Sequence, residues 1–147
     1  DRIKKIRGVE IDIDHIPMDD KKTFVMLAKG ETEALFQLNG SGMTKFLKDL
    51  KPTSIHDINA MVALYRPGPL AFIPLYIERK QNPSLVTYLD PALEPILSRT
   101  YGVLVYQDDL LMIAIKIAGY SWGEVDKFRK AVGKKIPEEM AAQKEMP

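Results

Sequence analysis

Residues 53–69, "TSIHDINAMVALYRPGP", decide the fold class of this chain. Apolar side chains recur there at the three- and four-residue spacing of one face of an α-helix, at Ile55, Ile58, Met61, Val62 and Tyr65. Thr53 or Ser54 can cap the first turn, because a hydroxyl there accepts a hydrogen bond from an otherwise unpaired backbone amide. Two prolines that flank Gly68 then form a stiff turn through which a helix cannot continue. The pattern predicts a helix that begins near residue 54 and stops at "RPGP".

Helical patterns continue upstream of this segment. Asp19 or Asp20 can cap "KKTFVMLAK", which stops at Gly30. Ser41 can cap "GMTKFLKDL", which stops before Pro52. The short apolar run "EALFQL" stays open between helix and strand, because periodicity does not separate the two over so few residues.

Helical patterns also follow the turn. They are "AFIPLYIERK", "PALEPILSR" with a cap-and-proline start at Asp90, the apolar stretch from Val103 to Ala118, and the segment from Ser121 to Gly133. The last of these opens with "SWGE", which has the spacing of a capping box. Pro137 begins one more helix. The chain is therefore predicted to be mainly α, a multi-helix domain with at most one or two short strands near the N-terminus.

Composition excludes several classes of protein. The 147 residues are 46% hydrophobic and 28% charged, which is typical of a globular domain with one core. No apolar run approaches the roughly 20 residues of a membrane-spanning helix. Without cysteine the chain forms neither a disulfide nor a thiolate metal site. Both ends fall inside helical patterns, so we expect the chain to be a segment of a longer protein.

The segment "VEIDIDHIPMDD", residues 9–20, contains five carboxylates. Glu10, Asp12 and Asp14 alternate with apolar residues, which is typical of a strand that presents three acids on one face. Such a strand could form one wall of a two-magnesium site, in which the ions lie about 3.5–4 Å apart between carboxylates. The chain has no second acidic strand to close the site. A solvated strand is therefore the favoured interpretation.

The segment from Lys127 to Lys135 concentrates positive charge, although the net charge of the whole chain is only +1. Lys127, Lys130 and Lys134 are spaced at i, i+3 and i+7, so they share one stripe of the predicted helix. Arg129 lies beside this stripe, and Lys135 extends it past Gly133. Charge runs of this kind are usually solvated faces. The stripe is expected to lack acidic partners at i±4, so that it repels itself unless a polyanion such as phosphate neutralises it.

Arg66 lies at the mouth of the "RPGP" turn. A rigid turn leaves its side chain less freedom to lose on binding an anion, which favours a phosphate contact. A purely local role is the alternative, because a cation at a helix C-terminus is stabilised by the helix dipole. The residues alone leave both interpretations open.

The other polar motifs predict no catalytic or metal site. His15 and His56 have no partners at metal-ligand spacing. Ser41 lacks the strand–turn–helix context and the histidine of a hydrolase nucleophile. The loop "LNGSGM" lacks the lysine of a phosphate-binding loop.

Four motifs occur in order over nearly the whole chain, "FQLNGSGM", "ALYRPGPL", "EPILSRTYGVLVYQDD" and "IAGYSWGEVDKFRKAVGKKIPEEM". Together they resemble the fingers region of the alpha subunit of bacterial DNA polymerase III, the C-family replicative DNA polymerase. The resemblance implies a fingers-domain segment in which residues 1–18 form the connection from the palm and residues 19–147 the helical fingers. It implies that the full-length chain is a DNA-directed DNA polymerase, a nucleotidyltransferase, and that this segment alone is inactive.

The same resemblance places the catalytic carboxylates and their Mg²⁺ in the palm, upstream of this segment. Residues 9–20 lack the leading Pro-Asp and the closing Phe of the family's "PDIDIDF"-like catalytic strand. They are similar instead to the family's connection into the fingers. No catalytic or metal-binding residue is therefore expected in this chain.

The basic pair before "GKK" resembles the family's contact with the triphosphate of the incoming deoxynucleotide. Here the pair is Arg129 and Lys130, and Lys130 replaces the usual arginine, which keeps the charge but loses the bidentate geometry. The resemblance adds the two lysines of "GKK", Lys134 and Lys135, as supports for the same phosphates or the template backbone. Candidates for DNA or phosphate contacts are Arg66, Lys127 and Lys135. Tyr106 and Gln107 match family positions. The resemblance does not decide whether they contact substrate or stabilise the fold.

The resemblance also implies partners and a location. The partners are primer–template DNA and the deoxynucleoside triphosphate, with the sliding clamp and other replisome subunits bound through the full-length chain, and no membrane. The implied location is the bacterial cytoplasm, at the nucleoid. The alternative is a non-catalytic helical module that binds nucleic acid through the basic stripe. A purely structural helical domain is a third possibility, and only this one predicts no salt-dependent binding of DNA.

Overall fold

The computed structural model describes residues 2–134, apart from the side chain of Lys134. The α-helices of this part are α1 Arg2–Arg7, α2 Lys21–Lys29, α3 Ser41–Leu50, α4 Ile55–Leu64, α5 Ile73–Gln81, α6 Glu94–Leu97, α7 Gln107–Lys116 and α8 Trp122–Lys134. Short 3-10 helices cover Pro69–Phe72, Pro83–Leu85, Pro91–Leu93 and Ser98–Thr100. No β-strand occurs in residues 2–134. The predicted mainly α fold class is confirmed.

Side-chain caps explain where three of the helices begin. Asp20 accepts hydrogen bonds from two backbone amides in the first turn of α2. Ser54 and Asp57 form a capping box at the start of α4. At α8, the Ser121 backbone amide donates to Glu124 at 2.8 Å, and the Glu124 amide donates back to the Ser121 hydroxyl. These bonds satisfy amides that have no partner within their own helix.

The hydrophobic core lies between α3, α4 and α5. Each of these helices contributes fully buried side chains, among them Met43, Leu47, Leu50, Met61, Leu64, Ile73 and Tyr76. Val103 and Val105 enter the same core from the segment that precedes α7. Because α4 and this segment share one core, the core fixes the "RPGP" turn and the start of α7 relative to each other.

Asp57 is a charged residue inside this core, with 1% of its surface exposed. Its carboxylate accepts hydrogen bonds from the backbone amides of Thr53 and Ser54, at 2.9 and 3.2 Å, and from the Tyr76 hydroxyl at 3.3 Å. Lys80 Nζ lies 3.6 Å from the same carboxylate. These partners compensate for the water that a buried carboxylate loses. The network ties the start of α4 to α5.

Residues 9–14 do not form the predicted strand. They are exposed along their whole length and have no regular secondary structure. Asp12 instead accepts a hydrogen bond from the Asp14 backbone amide at 3.0 Å and lies 2.7 Å from His15. A strand needs a neighbouring strand for its backbone hydrogen bonds, and residues 2–134 contain none. An alternating pattern of apolar and acidic residues is therefore not sufficient to form a strand.

The predicted helix from Val103 to Ala118 is wrong at its start, since α7 begins only at Gln107. Residues 103–106 have no helical structure, and Val103 and Val105 are buried while Leu104 is exposed. This two-residue alternation is the signature of extended backbone.

The two segments before α3 also differ from expectation. The run "EALFQL" forms turns rather than a helix or strand, with Ala34 and Gln37 at positive φ of 62° and 63°. The residue that caps α3 is Gly40, without a side-chain hydrogen bond, whereas Ser41 is the first helical residue.

The helix predicted from Pro137 lies outside the described residues. Within residues 2–134, no helix combines the length and the apolar character that crossing a membrane requires. The boundary predicted between residues 18 and 19 stays a prediction.

Candidate functional site

Helix α8 presents basic residues to solvent because its apolar residues face inward. Val125 and Ala131 are buried. Phe128 packs edge-on against Tyr120, with ring centroids 5.8 Å apart, and α8 as a whole packs against α7. The outward surface of α8, here called the basic face, exposes Lys127, Arg129 and Lys130. The structure thus brings three of the predicted contact residues together.

Asp126 lies on the basic face and pairs with two of its cations. Its carboxylate is 2.8 Å from Arg129 Nη2 and 2.7 Å from Lys130 Nζ. The hydrogen bond from Lys130, and then that from Arg129, lowers the pKa of Asp126 to about 2. The expectation that the stripe lacks acidic partners at i±4 is therefore wrong. The helical spacing that aligns the cations also places an aspartate four residues before Lys130.

Both of these ion pairs are open to solvent. The side chains of Arg129, Lys130 and Asp126 are 49%, 57% and 46% exposed. Exposed pairs are screened by salt and hold their partners weakly. Asp126 therefore neutralises part of the positive charge without covering it, and an external anion has access to Arg129 and Lys130.

Of the other lysines in this basic segment, only Lys127 has a side chain in the described part of the chain. Lys127 makes no ion pair within 4.0 Å among the described side chains. Hydrogen bonds from Ser121 lower the pKa of Glu124, and the charge of Lys127 adds a smaller effect in the same direction. Lys134 is the last residue of α8, and its side chain is outside the described part of the chain. Lys135 also lies outside the described residues.

A cleft of about 740 Å³ lies between the "RPGP" turn, the start of α7 and the end of α8. We name it the Arg66 cleft. Arg66 and Phe72 line one side, Gln107 lines the second, and Val132 and Gly133 of α8 line the third. Two regions that the sequence analysis singled out separately, the turn and the basic helix, therefore meet at one concave surface.

The turn that carries Arg66 is held by its own backbone. The Arg66 amide donates to the Leu64 carbonyl at 2.7 Å, and Gly68 adopts a φ of +97° that favours glycine. Pro69 then begins a 3-10 helix. The Arg66 side chain is exposed and makes no hydrogen bond or ion pair with any other described residue. Its guanidinium is available to a ligand.

Arg129 lies on the side of α8 that borders the Arg66 cleft. It precedes Val132 by three residues and Gly133 by four, and side chains at these spacings share one helix face. Arg129 itself is not among the residues that line the cleft. The fold thus places the two arginine candidates on the same side of α8.

Tyr106 and Gln107 also line the cleft, but they differ in burial. Tyr106 packs against the hydrophobic core, and burial raises the pKa of its hydroxyl. Gln107 is exposed at the first position of α7. Tyr106 therefore has a structural role in addition to any contact with a ligand.

Phe72 and Leu104 form an apolar part of the cleft that the sequence analysis missed. They are 51% and 44% exposed, respectively. In the sequence both have the appearance of core residues, so no local signal distinguishes them. They are exposed only because the tertiary fold places them at the surface.

The carboxylates of residues 9–20 do not fit a magnesium site. Glu10 pairs with Lys4 at 2.7 Å, and Asp12 contacts His15 at the same distance. Among residues 2–134 no group of three or more His, Asp or Glu side chains is placed to hold a metal ion. No step of metal-dependent chemistry is therefore assigned to them.

The sequence matches the family model described as "Bacterial DNA polymerase III alpha subunit finger domain" over residues 1–146. It is 50% identical over 144 residues to the DNA polymerase III subunit alpha of Halalkalibacterium halodurans, covering 98% of this chain and 13% of that protein. The subunit alpha of Thermus aquaticus is 47% identical over 148 residues, covering 97% of this chain and 12% of that protein. The chain spans only 12–13% of the length of these relatives.

Proposed function

The chain belongs to the finger-domain family of the bacterial DNA polymerase III alpha subunit, and we propose that its basic face binds the triphosphate of an incoming deoxynucleotide. Arg129 and Lys130 make the principal contacts, and Lys134 supports the same phosphates. Lys127, Lys135 and Arg66 contact phosphates of the template DNA. The observation that supports this best is the exposed cluster of Arg129 and Lys130 around one carboxylate, beside the Arg66 cleft.

Asp126 gives the basic face a defined state before a nucleotide binds. It holds the ends of Arg129 and Lys130 within 2.8 Å of one carboxylate, so the two cations point to a common place. Side chains that are already ordered lose less conformational freedom on binding. A triphosphate presents more negative charge and more oxygens than a carboxylate, so it can replace Asp126 as the partner of both.

The two cations have different parts in this proposal. The Arg129 guanidinium binds two phosphate oxygens at once, whereas the Lys130 ammonium acts as a single point charge. Transfer of a nucleotide builds negative charge on the departing pyrophosphate. Positive groups held at that position stabilise the transition state more than the ground state, so their loss lowers the rate as well as the affinity.

For the parent protein we propose the activity of a replicative DNA-directed DNA polymerase, with primer–template DNA and deoxynucleoside triphosphates as substrates. The Mg²⁺ ions would be held by carboxylates elsewhere in the parent chain, since residues 9–20 do not fit them. The present segment alone would be inactive. Contacts with a sliding clamp and other replisome subunits would be made through the rest of the parent, in the cytoplasm at the nucleoid.

Substitution of Arg129 by alanine in the intact polymerase tests the nucleotide contact. We expect the KM for nucleotide to rise and kcat to fall, with kcat/KM lower by about ten-fold or more, because a charge-assisted hydrogen bond is lost. Arg129→Lys should retain part of the activity. Lys45→Ala, which removes an exposed lysine of α3, is the control and should leave both constants unchanged. Wild-type KM and kcat in Arg129→Ala would refute the assignment.

The same variants separate the other possible functions. A non-catalytic nucleic-acid-binding module predicts that Arg129→Ala weakens DNA binding but leaves the KM for nucleotide unchanged. A purely structural domain predicts that the 147-residue chain shows no DNA binding that weakens as salt rises.

A further inference from the structure

A second pocket, of about 420 Å³, lies between α4, α6 and α7. Three residues with basic side chains line it, and each comes from a different element: His56 from α4, Arg99 from the 3-10 helix Ser98–Thr100, and Lys116 from the end of α7. We name it the Arg99 pocket. Tyr106 lines both this pocket and the Arg66 cleft, so the two cavities are neighbours.

The basic side chains of the Arg99 pocket have no partner among the residues that the structure describes. His56, Arg99 and Lys116 are exposed, and none of their side chains forms a hydrogen bond or ion pair with any residue in the described part of the chain. Some other cations of the fold are paired: Arg79 donates to the Tyr101 carbonyl, and Lys80 lies beside a buried carboxylate. The three basic side chains of the pocket are instead available to a ligand.

Two fixed positive charges face one negative charge in this pocket. Arg99 and Lys116 are cationic, and Asp109 is the acidic residue among those that line it. The Asp109 carboxylate is occupied by the Tyr106 backbone amide, at 3.3 Å, because it caps the start of α7. The described lining of the pocket therefore carries two fixed positive charges and one negative charge, which leaves an excess of one positive charge.

The rest of the lining determines what kind of anion fits. Asn59 adds an amide that can donate a hydrogen bond, and Ile96 and Met112 add apolar surface. Ligand sites commonly combine an apolar wall with a few polar groups in a cavity of about 300–1,000 Å³. A phosphate ester has both parts, since its oxygens can meet Arg99 and Lys116 while its carbon-bearing part lies against the apolar wall.

We propose that the Arg99 pocket is a phosphate-ester binding site distinct from the basic face of α8. The ester belongs either to a free nucleotide or to the backbone of a nucleic-acid strand, and the recognition chemistry is the same for both. The inference does not depend on the function proposed for Arg129.

Binding of inorganic phosphate, deoxyadenosine monophosphate and a thymidine oligonucleotide to the 147-residue chain tests the proposal. Isotope-edited NMR should show ligand-induced shifts at Arg99 and Lys116. Arg99→Gln and Lys116→Gln should each weaken binding at this pocket by about ten-fold, because each removes a charge-assisted contact. Lys45→Gln is the matched control, since it removes an exposed lysine that does not line the pocket. Circular dichroism of each variant verifies that the fold is retained.

Asp109→Asn is the complementary variant. Asparagine still accepts the hydrogen bond from the Tyr106 amide, but the negative charge that opposes a phosphate is gone. We expect phosphate to bind several-fold more tightly, a gain that a purely structural role for Arg99 and Lys116 does not predict.

The relative affinities of the three ligands identify the source of the phosphate ester. Stronger Arg99-dependent binding of the oligonucleotide than of the monophosphate identifies a nucleic-acid strand, and the reverse order identifies a free nucleotide. If folded Arg99→Gln and Lys116→Gln bind all three ligands as the wild type does, the proposal is overturned. Arg129→Ala measured in parallel distinguishes this failure from that of the basic face, because it should leave the shifts at Arg99 unchanged.

Discussion

The hydroxyl of Tyr65 lies in the space that a β-carbon on Gly42 would occupy. Gly42 is the second residue of α3, and Tyr65 ends α4 immediately before Arg66. The Tyr65 ring also meets Phe46 of α3 edge-on, with centroids 6.2 Å apart. The missing side chain at Gly42 leaves room for the Tyr65 ring against α3, immediately before the "RPGP" turn.

Gly42→Ala should destabilise the fold by about 1–3 kcal/mol, because the added methyl group forces the Tyr65 ring away from α3. The free energy of unfolding from urea denaturation measures the effect. Gly123→Ala is the matched control, since Gly123 is also the second residue of a helix and nothing lies within 4 Å of its would-be β-carbon. It should be neutral or stabilising, by at most about 1 kcal/mol.

Tyr65→Phe should rescue Gly42→Ala, because it removes the oxygen that the new methyl group meets. The double variant is expected to recover most of the lost free energy of unfolding. Its stability would then be higher than the sum of the two single effects predicts. Strictly additive effects of the two substitutions would show that the contact is not the cause of the loss.

Asp57→Ala should cost about 3–5 kcal/mol, because it leaves a nearly buried lysine without its counter-charge. The side chain of Lys80 is only 11% exposed and lies 3.6 Å from the Asp57 carboxylate. The Tyr76 hydroxyl loses its acceptor in the same variant. Asp49→Ala, on the exposed side of α3, is the control and should change stability by less than about 0.5 kcal/mol. Similar losses in both variants would contradict this account of the network.

The carboxyl group of Asp126 should titrate near pH 2, compared with its ordinary value of 3.8. Because folding lowers this pKa, the stabilisation from its ion pairs is present above the unfolded value and is lost as the pH falls through about 2. NMR titration of the carboxyl carbon measures it. Lys130→Ala should raise the pKa more than Arg129→Ala, whereas Lys127→Ala should have little effect. A pKa that stays near 2 in both of the first two variants would exclude ion pairing as the cause.

Asp12→Asn combined with Asp14→Asn should leave unchanged the magnesium dependence of the polymerase activity that we propose for the parent chain. Asp12 accepts a hydrogen bond from the Asp14 amide and contacts His15, which is the geometry of a local turn. The rate of nucleotide incorporation as a function of Mg²⁺ concentration is the measurement. A shift of this curve to higher Mg²⁺ would place a metal ion on the segment after all.

The helix starts could be predicted because their cause is local. Asp20 bonds to amides two and three residues away, and Ser121 and Glu124 bond to each other. Such bonds form between groups that any chain of this sequence holds close together. The strand predicted at residues 9–14 failed for the opposite reason, because a strand exists only beside a partner that the alternating pattern does not encode.

Periodicity was ambiguous wherever apolar residues enter the core from extended backbone. Val103 and Val105 continue into the apolar pattern of α7, yet they are not helical and reach the core of α3, α4 and α5. The same ambiguity left "EALFQL" undecided between helix and strand, and it forms neither. In both segments contacts with distant residues outweigh local preference.

The residues of the basic face could be named from sequence, because their alignment follows from the pitch of one helix. The same helical pitch places Asp126 among them, so its ion pairs with Arg129 and Lys130 follow from the sequence as well. The Arg66 cleft and the Arg99 pocket could not be foreseen in this way. Each joins elements far apart in the chain, which meet only because the burial of apolar surface between packed elements outweighs the entropy lost when the loops between them close.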